Sequence, residues 1–160
     1  MPIDYIPYLR KMVGHSRVLT VGLCALIVDE KGRILLEKRR DNGLYCLPGG
    51  SLDLDEKLLD GLKREILEET GIKIEEAKLL MISSGPSTRL VYPNGDVTEY
   101  VDFAYLCHVN GDVHMNEHDD ESVEVFFAEI KDLPNDEQLL RGTRKIIDKY
   151  LSGDLSLSID

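Results

Sequence analysis

Between Pro48 and Ile72 the chain passes from a glycine turn into a helix with two chemically different sides, and that junction limits the fold more than any other segment. Pro48-Gly49-Gly50 is a strong turn signal, because glycine tolerates positive φ and lets bare backbone approach a ligand. The sequence predicts a helix starting near Asp53 or Asp55, both good N-cap types, with Glu56 in or near its first turn. Leu58, Leu59, Leu62 and Ile66 recur at helical spacing as an apolar stripe, and Gly71 supplies a natural stop. Glu65, Glu68 and Glu69 stand at i, i+3 and i+4, so they gather on one side, expected to face away from the core. Like charges that close destabilise an isolated helix and call for a compensating cation. Hard carboxylate oxygens on a rigid element suit Mg2+ or Mn2+ better than zinc. The competing reading is a solvated acidic face, the usual role of neighbouring glutamates on a helix.

The spacing of the whole segment favours the metal site. From Gly50 to Ile72 it reads Gly-x5-Glu-x7-Arg-Glu-apolar-x-Glu-Glu-x-Gly-apolar, with Glu56, Arg64 and Gly71 at fixed positions. Average residue frequencies put a chance match well below about one in a million. This pattern is the Nudix box, and the chain resembles a Nudix hydrolase. The resemblance implies an α/β (α+β) fold, an α/β/α sandwich with a mixed sheet flanked by helices. It implies cleavage of a phosphoanhydride in a nucleoside diphosphate linked to another group. By the same resemblance Glu65, Glu68 and Glu69 hold the metal, the Gly50 carbonyl contributes, and Glu65 also activates water or orients the ion. Arg64 and Glu56 are expected to brace the cluster, against the alternative of a plain surface ion pair. A further ligand or base is expected in the acidic run 117–124, with Glu121 favoured and Asp120 next. A solvated loop competes with that reading, and His118 is a third candidate.

Substrate contacts are less legible. Tyr45 stands where many relatives carry tryptophan, and it either stacks on a base or packs in the core. Arg39 and Arg40 end a strand leading toward the site; alternation lets at most one reach inward to clamp a phosphate. Arg89 is a third candidate, against a solvated loop role. Pro86 and Tyr92 are out of register with markers of ADP-ribose and dinucleoside polyphosphate relatives. The substrate field therefore stays open among ADP-ribose, dinucleoside polyphosphates, nucleotide sugars and nucleoside triphosphates. Two other functions compete: a non-catalytic nucleotide-sensing or scaffold module, and an isoprenoid diphosphate isomerase. The isomerase needs an activated cysteine, and neither Cys46 nor Cys107 has a context that would supply one.

At 160 residues the chain fits one domain, read as 18–151, with a helical extension at 1–17 and a tail at 152–160. The formal charge of −11 disfavours nonspecific nucleic-acid or anionic-membrane binding. It also repels an anionic nucleotide, the expected small-molecule partner, unless divalent cations intervene. The longest apolar run, 18–28, is too short to span a bilayer, and no basic-then-apolar leader is evident. Cys24, Cys46 and Cys107 are scattered, which predicts reduced thiols in a cytoplasmic protein. Asp4 is expected to cap a helix carrying Ile6, Leu9 and Val13 on one side. Covering the sheet is its first expected role; a homodimer contact or a pocket border are the others. Strands are expected at 18–29, 33–40, 74–83, 97–109 and 123–130, with a hairpin turn at 92–96 and a terminal helix at 135–151.

Overall fold

The spine of the molecule is one long apolar strand. In the computed structural model, which describes residues 4–110 and 120–160, the chain runs α1 (Tyr5–Val13), β1 (Val18–Val28), β2 (Ile34–Arg39), β3 (Tyr45–Cys46), β4 (Gly49–Ser51) and α2 (Leu58–Thr70). It continues through β5 (Lys78–Ser83), β6 (Leu90–Val91), β7 (Val97–His108), β8 (Ser122–Ala128), α3 (Thr143–Leu151) and β9 (Ser158–Ile159). β1 pairs in parallel with β7 along its whole length, from Val18 opposite Thr98 to Val28 opposite His108. Its other edge is divided: Val28 pairs with Ile34 of β2, while Gly22, Leu23 and Cys24 pair with Ser51, Gly50 and Gly49 of β4. β2 also carries β3 and β8, and β7 carries β5 and β6.

Alternation along the strands assigns one core to each face of this mixed sheet. Leu23, Ala25, Ile27 and Leu35 pack with Leu62 and Ile66 of α2. Leu26, Val28, Ile34 and Leu36 pack with Ile147 of α3. Helix, sheet and helix thus form the expected α/β/α sandwich. No described helix is long and apolar enough to cross a membrane.

Several expectations need correction. α2 begins at Leu58, not near Asp53 or Asp55, because Asp55 takes a left-handed φ of 65° and Lys57 is the N-cap. Leu59 is 43% exposed and leaves the stripe, whereas Glu69 is only 5% exposed, so the glutamates do not all face solvent. β5 starts at Lys78; Ile72 and Ile74 are buried without being strand. The expected terminal helix is broken: a 3-10 turn at Asp136–Gln138 is closed by the reciprocal Asn135–Gln138 cap, and α3 starts after Gly142 at φ 88°. The tail is tied down, with Met81 and Ile82 of β5 opposite Ser158 and Ile159, and Lys145 ion-paired to Asp160. α1 buries no residue and does not cover the sheet. Its Arg10 instead donates to Val97 O and Thr98 Oγ1 of the β6–β7 hairpin, and Tyr5 N donates to Asp53 Oδ1.

Candidate active site

Two glycines join the sheet to the carboxylate helix. A Cβ on Gly49 would lie 2.0 Å from Leu23 O, so only a bare backbone lets β4 press against β1. A Cβ on Gly50 would lie 2.3–2.6 Å from the Glu65 carboxyl group. The Gly49 N–H donates to Glu69 Oε2 at 2.9 Å, which draws the end of α2 onto the turn. Glu65 and Glu69 thus flank the glycine pair, while Glu68 is the exposed member of the three.

Arg64 locks the loop before the helix onto it. Its Nε and Nη2 donate to Glu56 Oε1 and Oε2 at 2.5 and 3.0 Å, and Nη2 also reaches Ser51 O at 3.1 Å. Nη1 donates to Glu65 Oε1 at 2.9 Å and Glu68 Oε2 at 3.3 Å, and Asp53 lies 3.3 Å from Nη2. Glu56 accepts from the backbone N–H of Asp53 at 2.9 Å, closing the loop on itself. Arg64 and Glu56 are therefore placed as a brace, half-buried and many-partnered, and not as a lone surface pair.

Electrostatics follow from that packing. The Arg64 hydrogen bonds hold the Glu56 carboxyl below the usual carboxylate range, although partial burial opposes them. Burial pushes Glu65 up to about 7, opposed by Arg64 and assisted by the charges of Glu68 and Glu121. Burial pushes Glu69 well up, assisted by Glu37, Glu65 and Glu121. A cluster of hard oxygens short of positive charge fits a divalent cation chemically. As the side chains stand, no three His, Cys, Asp or Glu among the described residues converge tightly enough to form a complete cage.

A cavity of about 680 Å3 opens from the glycine pair. Glu37, Gly49 and Gly50 line it, and residues 140–146 with Asp148 line the side toward α3. Of the sequence candidates, Arg39 lines it, held by Asp41 at 2.9 and 2.7 Å and with its guanidinium 5.9 Å from the Tyr92 ring centre. Arg40 turns elsewhere and donates to Ser122 O. Tyr45 is not a lining residue: its ring meets Phe126 edge-on at 5.9 Å, while its neighbour Cys46 points to the cavity. Arg89 is not a lining residue either, because both its Nε and Nη2 are held by Glu99 on the hairpin. Glu121 is exposed just before β8, near enough for its charge to act on Glu65 and Glu69. Asp120 is also exposed, and Glu117, His118 and Asp119 lie outside the described residues.

Sequence reasoning did not mark the lining residues Glu37, Tyr100 and Asp102, and it set Tyr92 aside as out of register. Glu37 is 4% exposed and accepts from Cys46 Sγ at 3.4 Å and Ser122 Oγ at 3.2 Å. Tyr92 and Tyr100 share a 2.6 Å hydroxyl contact, and Asp102 stands mid-strand in β7. The available signal was a carboxylate interrupting an apolar strand run, at Glu37 after Ile34-Leu35-Leu36 and at Asp102 between Val101 and Phe103.

With this geometry in view, comparison with known proteins is specific. The family model described as NUDIX domain matches residues 18–150. Over 128 residues the chain is 32% identical to the ADP-ribose pyrophosphatase of Methanocaldococcus jannaschii, covering 78% of this chain and 69% of that protein. Over 60 residues it is 47% identical to a MutT-like protein of Streptomyces ambofaciens, covering 38% of this chain and 39% of that one, so the match spans well under half of the relative. Among solved structures, a MutT NUDIX hydrolase from Burkholderia pseudomallei superposes with a TM-score of 0.66 at 33% identity, covering 82% of this chain and 98% of that one.

Proposed function

Since this chain belongs to the NUDIX domain family, we propose that it is a metal-dependent pyrophosphohydrolase that splits a phosphoanhydride in a nucleoside diphosphate linked to another group. The observation that carries this reading is the placement of Glu65 and Glu69 around Gly49 and Gly50, two glycines that line a cavity large enough for a nucleotide. Glu65, Glu68, Glu69 and the Gly50 carbonyl would hold Mg2+ or Mn2+. When bound, such an ion neutralises charge on phosphoryl oxygens and acidifies the attacking water. Free thiols at Cys24, Cys46 and Cys107 suit a cytoplasmic setting.

The chain's own residues supply position. Arg64 keeps Glu65 and Glu56 in one network, so the carboxylates stay oriented without drifting apart. Glu121 is the favoured base, with Glu37 a further carboxylate lining the cavity. Arg39, which lines the cavity, is assigned to a phosphate oxygen of the substrate.

The test is hydrolysis of ADP-ribose, diadenosine polyphosphates, nucleotide sugars and nucleoside triphosphates with Mg2+ or Mn2+. Glu69→Gln should lower kcat by about two orders of magnitude or more while the fold persists. Chelator should abolish turnover. Full activity of that variant, or full activity in excess chelator, would overturn the assignment.

A further inference from the structure

Away from the glycine pair, the cavity floor is made of unusually small side chains. Gly22 and Cys24 of β1, Ala104 of β7 and Ser83 of β5 all line it. The register places Gly22 opposite Asp102, and Asp102 opposite Ser83, so these residues form one row across the sheet. A Cβ at Gly22 would lie 2.1 Å from Asp102 Oδ1 and 2.9 Å from Tyr100 Cδ1. The missing side chain lets the carboxylate and the phenol ring lie low over the strand. What results is a flat slot suited to a planar ring, with Tyr92 and Tyr100 at its border and Leu140 and Ile146 also lining the cavity.

Asp102 is the charged group on that floor, and no hydrogen bond or ion pair engages it among the described residues. Among the other charged lining groups, Arg39 pairs with Asp41, Arg144 with Asp136 and Lys145 with Asp160, while Arg141 and Asp148 are exposed to solvent. A half-buried acceptor without a partner favours a ligand that brings donors. The row also sets the distance to the reaction. Gly22 pairs with Ser51 on its other side, so the Asp102 carboxyl, lying over Gly22, stands about one strand spacing, roughly 5 Å, from the β4 backbone at Ser51.

Resting on the hydrolase reading above, we propose that Asp102 is a specificity-determining residue that selects guanine. Its two carboxylate oxygens accept the ring N1–H and the 2-amino group of the substrate's base. Guanine is the common base that offers two adjacent donors on one edge, the arrangement a carboxylate receives in a bidentate pair. Adenine alternates donor and acceptor along its corresponding edge, and uracil presents one donor flanked by acceptors, so each would set a lone pair against the carboxylate. Burial pushes the Asp102 carboxyl up to about 6, which leaves it ionised and accepting at neutral pH.

The test compares the wild type with Asp102→Asn, which keeps the side-chain shape but exchanges one acceptor for a donor. With otherwise matched guanine and adenine substrates at pH 7.5, the wild type should favour guanine by about tenfold or more in kcat/KM. In the variant that ratio should fall at least about tenfold, since an amide matches the adenine edge. Equilibrium binding of GMP, IMP and AMP, read by calorimetry, gives the same answer without turnover. GMP should bind wild type more tightly than IMP, which lacks the 2-amino group, and IMP more tightly than AMP. Equal affinities for the three, or an unchanged guanine-to-adenine ratio in the variant, would overturn the selection by Asp102. Hydrolysis without base preference sinks this inference and leaves the hydrolase reading standing. Guanine-selective binding without hydrolysis of any substrate does the reverse.

Discussion

At Gly49 and Gly50, adding the same methyl group should produce two different failures. On Gly49 it would meet Leu23 O at 2.0 Å and Cys24 Cα at 2.7 Å, which are backbone atoms of the central strand and cannot yield. Gly49→Ala should therefore break the β1–β4 pairing and lower Tm by 10 °C or more, equivalent to roughly 3 kcal/mol at this size. On Gly50 it would meet the end of the flexible Glu65 side chain, which can swing aside. Gly50→Ala should keep Tm within about 4 °C of wild type. It should nevertheless cut kcat on the order of a hundredfold, because a displacement of about 1 Å at a reacting centre costs that much. Thermal melts and steady-state kinetics separate the two. A Gly50→Ala enzyme with full turnover would show that the Glu65 position is unimportant.

Elements were legible where their signal is local. β1 and β2 run within a residue or two of their expected limits, because strand-forming apolar residues on either side of the Glu30-Lys31-Gly32 turn leave little freedom. The carboxylate helix was legible in its chemistry but not its start. Asp53 and Asp55 are good caps in isolation, yet Arg64 draws Asp53 and Glu56 into a loop network that competes with helix. Which of the glutamates is buried depends on where β4 passes, and that is tertiary information. Likewise Arg89 and Tyr45 are of suitable type, but Glu99 and Phe126, distant in sequence, decide their orientation. β9 had no local signal at all, since two paired residues gain their order from β5. Its contribution can be measured. Removing residues 157–160 deletes the pairing to Met81 and Ile82, the Asp160 N–H bond to Ile82 O and the ion pair to Lys145. About 1 kcal/mol and a Tm fall of roughly 2–4 °C are expected. No change in Tm would mean that the segment is attached without stabilising the sheet.

For the whole molecule the governing quantity is its charge of −11, from 19 basic and 30 acidic residues. A compact chain of this length has a radius of gyration of about 15 Å. At 10 mM salt the screening length is about 30 Å, so charges across the molecule repel one another; at 150 mM it is about 8 Å, and only neighbours interact. Self-repulsion destabilises the compact state, so monovalent salt should raise Tm over that interval by about 2–4 °C, or roughly 1 kcal/mol. Half-buried pairs such as Arg64–Glu56 are screened less and should oppose this only weakly. A divalent ion should do more than match ionic strength. If Glu65, Glu68 and Glu69 bind it in the folded state alone, Mg2+ at a hundred times its Kd adds about 2.7 kcal/mol beyond screening. Melts in NaCl and in MgCl2 at equal ionic strength isolate that excess, and Glu69→Gln should remove most of it while leaving the NaCl response intact. Identical curves for the two salts would mean that the carboxylates respond to Mg2+ only as diffuse surface charge.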